Sequence, residues 1–393
     1  MTASQQTNRR SRFARLARKA RPPLAGAVFL CLMMRASAAQ NPGSDWPCDR
    51  GNERRTGVSD SPLSETLAVA WKTKCVGAFE AGAVVARATV FAATAKGRLY
   101  AFSLDKGELK WQRQFDEEFK AAPCVASARL YVGCQSGKLY CLNPANGETD
   151  WTFDTEAEIM SSPVCDGPRL FFGSYDQHLY CLDAATGRLM WKYETGGPVH
   201  CGPARWGQLV YVAGCDQNLR AIEVTSPTLE WSLQMEALAS ATPAIYGREL
   251  YVGHFGGKLL AVDAGSGEEK WQYDPKSGGF PFYASCAVTE ELVVAAGRDK
   301  KVHCLDRATG AKVWAFETKG EIDASPCVAG GRVYAASKDG TVYGLDLENG
   351  AVKWKYVSGA PFTASPAIAG GRLIVGDVEG TLFCFGAPEK KGK

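Results

Sequence analysis

Between Ser161 and Thr195 the chain alternates apolar and polar positions in four short runs, SSPVCDG, RLFFGSY, HLYCLDA and RLMWKYE, separated by Gly, Asp and Asn turn signals. Short β-branched and aromatic runs at this spacing predict antiparallel strands rather than helices. The pattern then recurs. Trp71, Trp111, Trp151, Trp191, Trp231 and Trp271 stand 40 residues apart, Trp314 follows 43 later, and Trp354 another 40. A fixed period of this size marks a repeat architecture. CLDAATGRLMW (Cys181–Trp191), CLDRATGAKVW (Cys304–Trp314), GLDLENGAVKW (Gly344–Trp354) and CLNPANGETDW (Cys141–Trp151) are close copies, and AFSLDKGELKW, AVDAGSGEEKW and AIEVTSPTLEW are weaker ones.

Four strands per unit, repeated around a ring, predict an all-β fold, an eight-bladed β-propeller. The ends set the count. After Gly380 one strand remains, Thr381–Phe385, with no Trp strand behind it, while an unpaired Trp strand, Leu67–Lys74, precedes the first unit. That strand can complete the last blade and leave no open edge. The eight tryptophans are read as docking residues between sheets. Gly107, Gly147, Gly187, Gly267, Gly310 and Gly350 form a turn column expected at positive φ, and Pro227 breaks it in the fourth unit.

Charge revises the picture at the N-terminus. The 393-residue chain has a formal net charge of +3, but residues 1–38 hold eight bases and no acid. Basic residues, the apolar run Leu24–Met34 and Ala36-Ser37-Ala38 together read as a signal peptide, with Sec and twin-arginine export both open. Cys31 lacks a lipobox context, so no lipid anchor is expected. Without the leader, 37 bases face 42 acids, a net charge of −5. The expected layout is a leader over 1–38, a strap over 39–66, the propeller over 67–386 and a basic tail over 387–393. The mature chain is expected to be exported, periplasmic or secreted, soluble and monomeric. No transmembrane span is expected, and no nucleic-acid partner, because no basic face is visible.

The Asp-x-x-Thr-Gly-x-x-x-Trp segments ending at Trp191 and Trp314 resemble the docking motif of the PQQ-like (pyrroloquinoline quinone repeat) propeller family, over about residues 65–386. The segment DWPCDRGNERRTG (Asp45–Gly57) resembles the strap before the first blade in envelope members of that family. The resemblance extends to the propeller subunit of the outer-membrane β-barrel assembly machinery, and it implies an envelope protein partner. Quinoprotein alcohol dehydrogenases share the fold and hold their quinone over adjacent cysteines. This sequence has no Cys-Cys pair and almost no loop excursions, so no cofactor is expected.

No G-x-S-x-G, Walker or H-E-x-x-H motif occurs, and the four histidines show no ligand spacing, so neither a catalytic nor a metal site is assigned. Cysteines share columns with Ala, Gly and Val, which is how small buried residues behave. Cys48 and Cys75 are the candidates for a staple. Chemistry diversifies three residues before the repeated proline, at Glu80, Lys120, Met160, His200, Ser240, Tyr283, Asp323 and Thr363. These are expected to ring one mouth of the channel, with Phe280 and Phe282 beside Tyr283 in the one lengthened loop. The leading expectation is a non-catalytic interaction scaffold in the cell envelope. A degenerate quinoprotein oxidoreductase, or small-molecule or glycan binding at the mouth, are the alternatives.

Overall fold

The computed structural model describes residues 45–276 and 278–388. The leader over 1–38 and the lysines of the basic tail lie outside the described residues. Strand β1 spans Ala68–Lys74 and the next four are β2 (Val84–Ala86), β3 (Thr89–Ala93), β4 (Arg98–Ser103) and β5 (Leu109–Gln114). The same four-strand pattern continues through β10 (Val164–Asp166) to the last three, β30 (Ala367–Ala369), β31 (Arg372–Gly376) and β32 (Thr381–Gly386). All 32 strands fall into eight antiparallel four-stranded sheets. The fold is an eight-bladed β-propeller, and no helix among the described residues is long and apolar enough to cross a membrane.

Seven blades are consecutive in sequence. The eighth is ordered β1-β32-β31-β30, so the N-terminal Trp strand closes the ring through pairs such as Lys72 with Phe383. The first strand of each blade is the innermost: β2, for example, contacts the first strands of the second and eighth blades. The middle strands are almost wholly buried, whereas the outermost alternate between exposed and half-buried positions.

Each tryptophan docks onto the blade that follows. Trp71 Nε1 donates to Leu104 O at 2.9 Å, Trp231 to Ala264 O at 3.0 Å, and Trp354 reaches back to Leu67 O at 2.9 Å. Trp151 departs from the pattern: its Nε1 is buried without a partner, while Tyr131 Oη occupies the corresponding carbonyl, Ala184 O, at 2.8 Å. The glycine column explains itself here. Gly267 has φ +75°, and a Cβ there would lie 2.6 Å from the Trp231 ring. Glycine serves twice, for its left-handed backbone and for the closeness of the indole.

The strap was expected, but the contacts it makes were not legible in its sequence. In order along residues 46–57, the carbonyls of Trp46, Pro47, Glu53, Arg54, Thr56 and Gly57 accept the N–H groups of Val85, Val125, Arg205, Ile245, Val288 and Val328. Those are inner-strand positions of the first, second, fourth, fifth, sixth and seventh blades. Ser59 Oγ donates to Ile368 O of the eighth at 2.9 Å. Arg55, fully buried, grips the third and fourth through Ser162 O at 2.8 Å and Pro203 O at 3.0 Å. Arg50, also buried, donates to Cys286 O at 3.0 Å and to Ser325 O and Pro326 O. The strap therefore crosses one end of the channel and touches every blade, with two guanidinium groups held among backbone carbonyls.

Candidate functional site

The opposite end of the channel is the mouth. The proline column precedes six of the eight inner strands, with Ala83 and Cys286 in the same place in the other two, and the residues just before it are small because the strands converge there. Their hydroxyls link neighbouring blades: Gly202 N donates to Thr242 Oγ1 at 3.0 Å, Thr242 N to Ser285 Oγ at 2.8 Å, and Ser285 N to Ser325 Oγ at 2.9 Å. Above this hydroxyl belt stand Glu80, Lys120, Met160, His200, Ser240, Tyr283, Asp323 and Thr363, all lining one cavity of about 130 Å³. Asp49 of the strap lines it from below. The repeat thus gathers one residue from each blade around the axis.

Charge at the mouth is largely paired. Arg298 forks onto Asp323, Nε to Oδ1 at 2.8 Å and Nη2 to Oδ2 at 3.1 Å, and Lys338 Nζ lies 2.7 Å from Oδ2. Burial alone would raise the Asp323 pKa, but hydrogen bonds from these two cations hold it below the usual carboxylate range. Lys120 lies 3.7 Å from Glu80, between the first and second blades. The other half of the ring is aromatic. His200 sits between two phenols, with Nδ1 2.7 Å from Tyr175 Oη and Nε2 3.3 Å from Tyr283 Oη. Burial lowers its pKa below the ordinary value, which favours the neutral imidazole. Arg298 lies over the Tyr283 ring at 4.5 Å, joining the aromatic arc to the ionic one.

A second ring escaped the sequence reading. Gln135, Tyr175, Phe255, Arg298 and Lys338 hold the rim loops from outside: their N–H groups donate to Glu118, Glu158, Leu238, Pro281 and Glu321 carbonyls at 2.9–3.0 Å. They obey the same period as the rim (with Arg298 displaced by the same three-residue insertion) and vary in the same way. That variation was the signal.

One expected rim residue is elsewhere. Phe282 is only 2% exposed, its ring edge-on to His303 at 5.5 Å and its Cβ against Gly253. It belongs to the column just before the rim, with Phe79, Phe119, Ile159, Val199, Ala239, Ile322 and Phe362, all of them buried. Phe280 differs: it is 51% exposed, beyond Gly278 and Gly279 at positive φ. The expected cysteine staple is not formed among the described residues. The described residues contain no disulfide, and Cys48 meets Cys124 rather than Cys75, whose N–H is bound to Gly380 O in the eighth blade. The column cysteines Cys141, Cys181, Cys304 and Cys384 are fully buried, and burial pushes each thiol up to about 12.

A family model described as outer membrane protein assembly factor BamB (PQQ_2) matches residues 63–163, 135–279 and 274–387. The chain belongs to the PQQ_2 family. No curated protein matches it. Among solved structures, BamB from Moraxella catarrhalis aligns at TM-score 0.70 and 16% identity, covering 84% of this chain and 100% of that one. Quinohemoprotein alcohol dehydrogenase from Comamonas testosteroni aligns at 0.77 and 13% identity, covering 91% and 83%. A europium-containing methanol dehydrogenase aligns at 0.72 and 13%, covering 88% and 98%. Such identities establish the shared propeller, and the site must decide between its uses.

The mouth of this PQQ_2 protein does not fit a tricyclic quinone carrying several carboxylates. Its volume of about 130 Å³ lies below the roughly 300 Å³ at which ligand pockets begin. The cations that would receive carboxylates are already held by Asp323 and Glu80.

Proposed function

We propose that this PQQ_2 propeller is an exported, non-catalytic scaffold that presents its mouth face to a protein of the cell envelope. The observation that carries the reading is the mouth itself: a shallow, floored, self-paired polar ring with an exposed aromatic, Phe280, beside it. Aromatic residues ringed by paired charges suit a protein contact more than the enclosure of a small molecule. The family's description as an outer membrane protein assembly factor supports the same class of role.

A photo-crosslinking residue at Phe280 in intact cells tests it. One discrete adduct is expected, diminished by Arg298→Glu, with none from the still more exposed Val357 on an outermost strand. Equal labelling from both positions would sink the proposal. The hydrogen-bonded Tyr175–His200–Tyr283 row supports a second reading, glycan binding at the mouth. Binding on a glycan array that is lost in Asp323→Ala would favour it.

A further inference from the structure

Three thiols meet where the strap crosses the second and third blades. Pro47 O accepts Val125 N–H at 2.7 Å, and this sets the next strap residue, Cys48, beside the preceding inner-strand residue, Cys124. Both are buried, and each thiol acts on the other across this contact. The Cys124 thiol in turn meets that of Cys165 on β10. Cys165 is partly exposed, whereas the other two are not. A row of three with one end at the surface gives a disulfide a way in and an ordered way along.

We propose that this row is a redox lock that bonds the strap to the second blade through Cys48 and Cys124. The oxidant is a disulfide, either a small molecule or a thiol oxidoreductase. The Cys165 thiolate attacks it, forming a mixed disulfide and releasing one thiol. Cys124 then attacks the Cys165 sulfur and releases the second. Cys48 attacks Cys124 last, forming the Cys48–Cys124 bond and returning Cys165 as a thiol. Two protein thiols lose two protons and two electrons, and the oxidant becomes two thiols. The final pair is favoured because both of its sulfurs are buried, whereas a Cys124–Cys165 bond keeps a sulfur open to reductant. The lock holds the segment that floors the mouth and closes the channel.

In the cell the oxidant depends on the export proposed above. The test supplies it instead. Reduced full-length protein is incubated with glutathione disulfide, then denatured, alkylated and mapped without reduction. The expected product is a peptide pair joined at Cys48–Cys124. Cys165→Ser slows its appearance about tenfold, while Cys201→Ser, a buried thiol outside the row, leaves the rate unchanged. Trypsin nicking after exposed Arg54 then releases the leading fragment from oxidised protein only when reductant is added. Alkylation of all three cysteines, or Cys124–Cys165 as the lasting product, overturns the lock. Either result leaves the Phe280 crosslinking test of the scaffold unaffected.

Discussion

His200 shows what a single residue at the mouth contributes. Burial depresses its folded pKa below the unfolded value near 6.5. The unfolded chain therefore takes up a proton that the folded chain resists, and stability is lost as pH falls through about 6.5. Asp323 has the same sign in a lower window: its depressed carboxylate stabilises above about pH 4 and that contribution is lost below. His200→Gln should accordingly flatten the decline in Tm between pH 7 and pH 5 and leave the steeper acid loss in place. Thermal scans at half-unit pH steps check both. The His200 position was legible from the repeat, because its column is the one that refuses to be uniform. Tyr283 was legible on the same rim, but its bond to His200 across 83 residues of sequence was not, and Tyr175 lies in the second ring that the repeat reading passed over.

Elements follow the same division between what repeats and what does not. The blade strands were readable because each repeat states its alternation again, so that Trp191 or Gly187 is interpreted by its copies. The strap occurs once. Arg50 and Arg55 look like surface charge in a turn-rich segment, and their acceptors are carbonyls, which every residue carries and no sequence advertises. Phe282 was misplaced for the opposite reason: its column was visible, but the neighbouring insertion drew attention to the loop. Arg55→Met should cost about 3 kcal/mol, because it orphans carbonyls in four places at once. Arg54→Met, adjacent but exposed and only 3.9 Å from Glu53, should change stability by less than about 0.5 kcal/mol. Urea midpoints at unchanged m-value distinguish the two.

At the scale of the molecule, closure depends on β1. It covers the outer edge of β32, and Leu67 just before it supplies the carbonyl that Trp354 needs. Removing residues 67–74 exposes both, and an uncovered strand recruits another chain. Light scattering should show the shortened protein self-associating at concentrations where the intact one does not. An unchanged mass would mean that the ring closes without that strand. The +3 of the whole chain and the paired charges of the mouth also separate at this scale. Net charge describes how the whole chain meets solvent, and the pairing describes how the mouth is held together.

The strap also acts as a ruler. Residues 46–59 meet seven of the eight inner strands in chain order, and the Arg55 side chain reaches the third, so the strap is matched to this ring of eight. Tandem repeats are easily gained or lost by unequal recombination, and a seven- or nine-unit ring could still stack its tryptophans. Its inner strands would then be out of step with contacts this strap makes blade by blade. A segment shorter than half a repeat thereby ties together all the copies of a ring built from interchangeable parts.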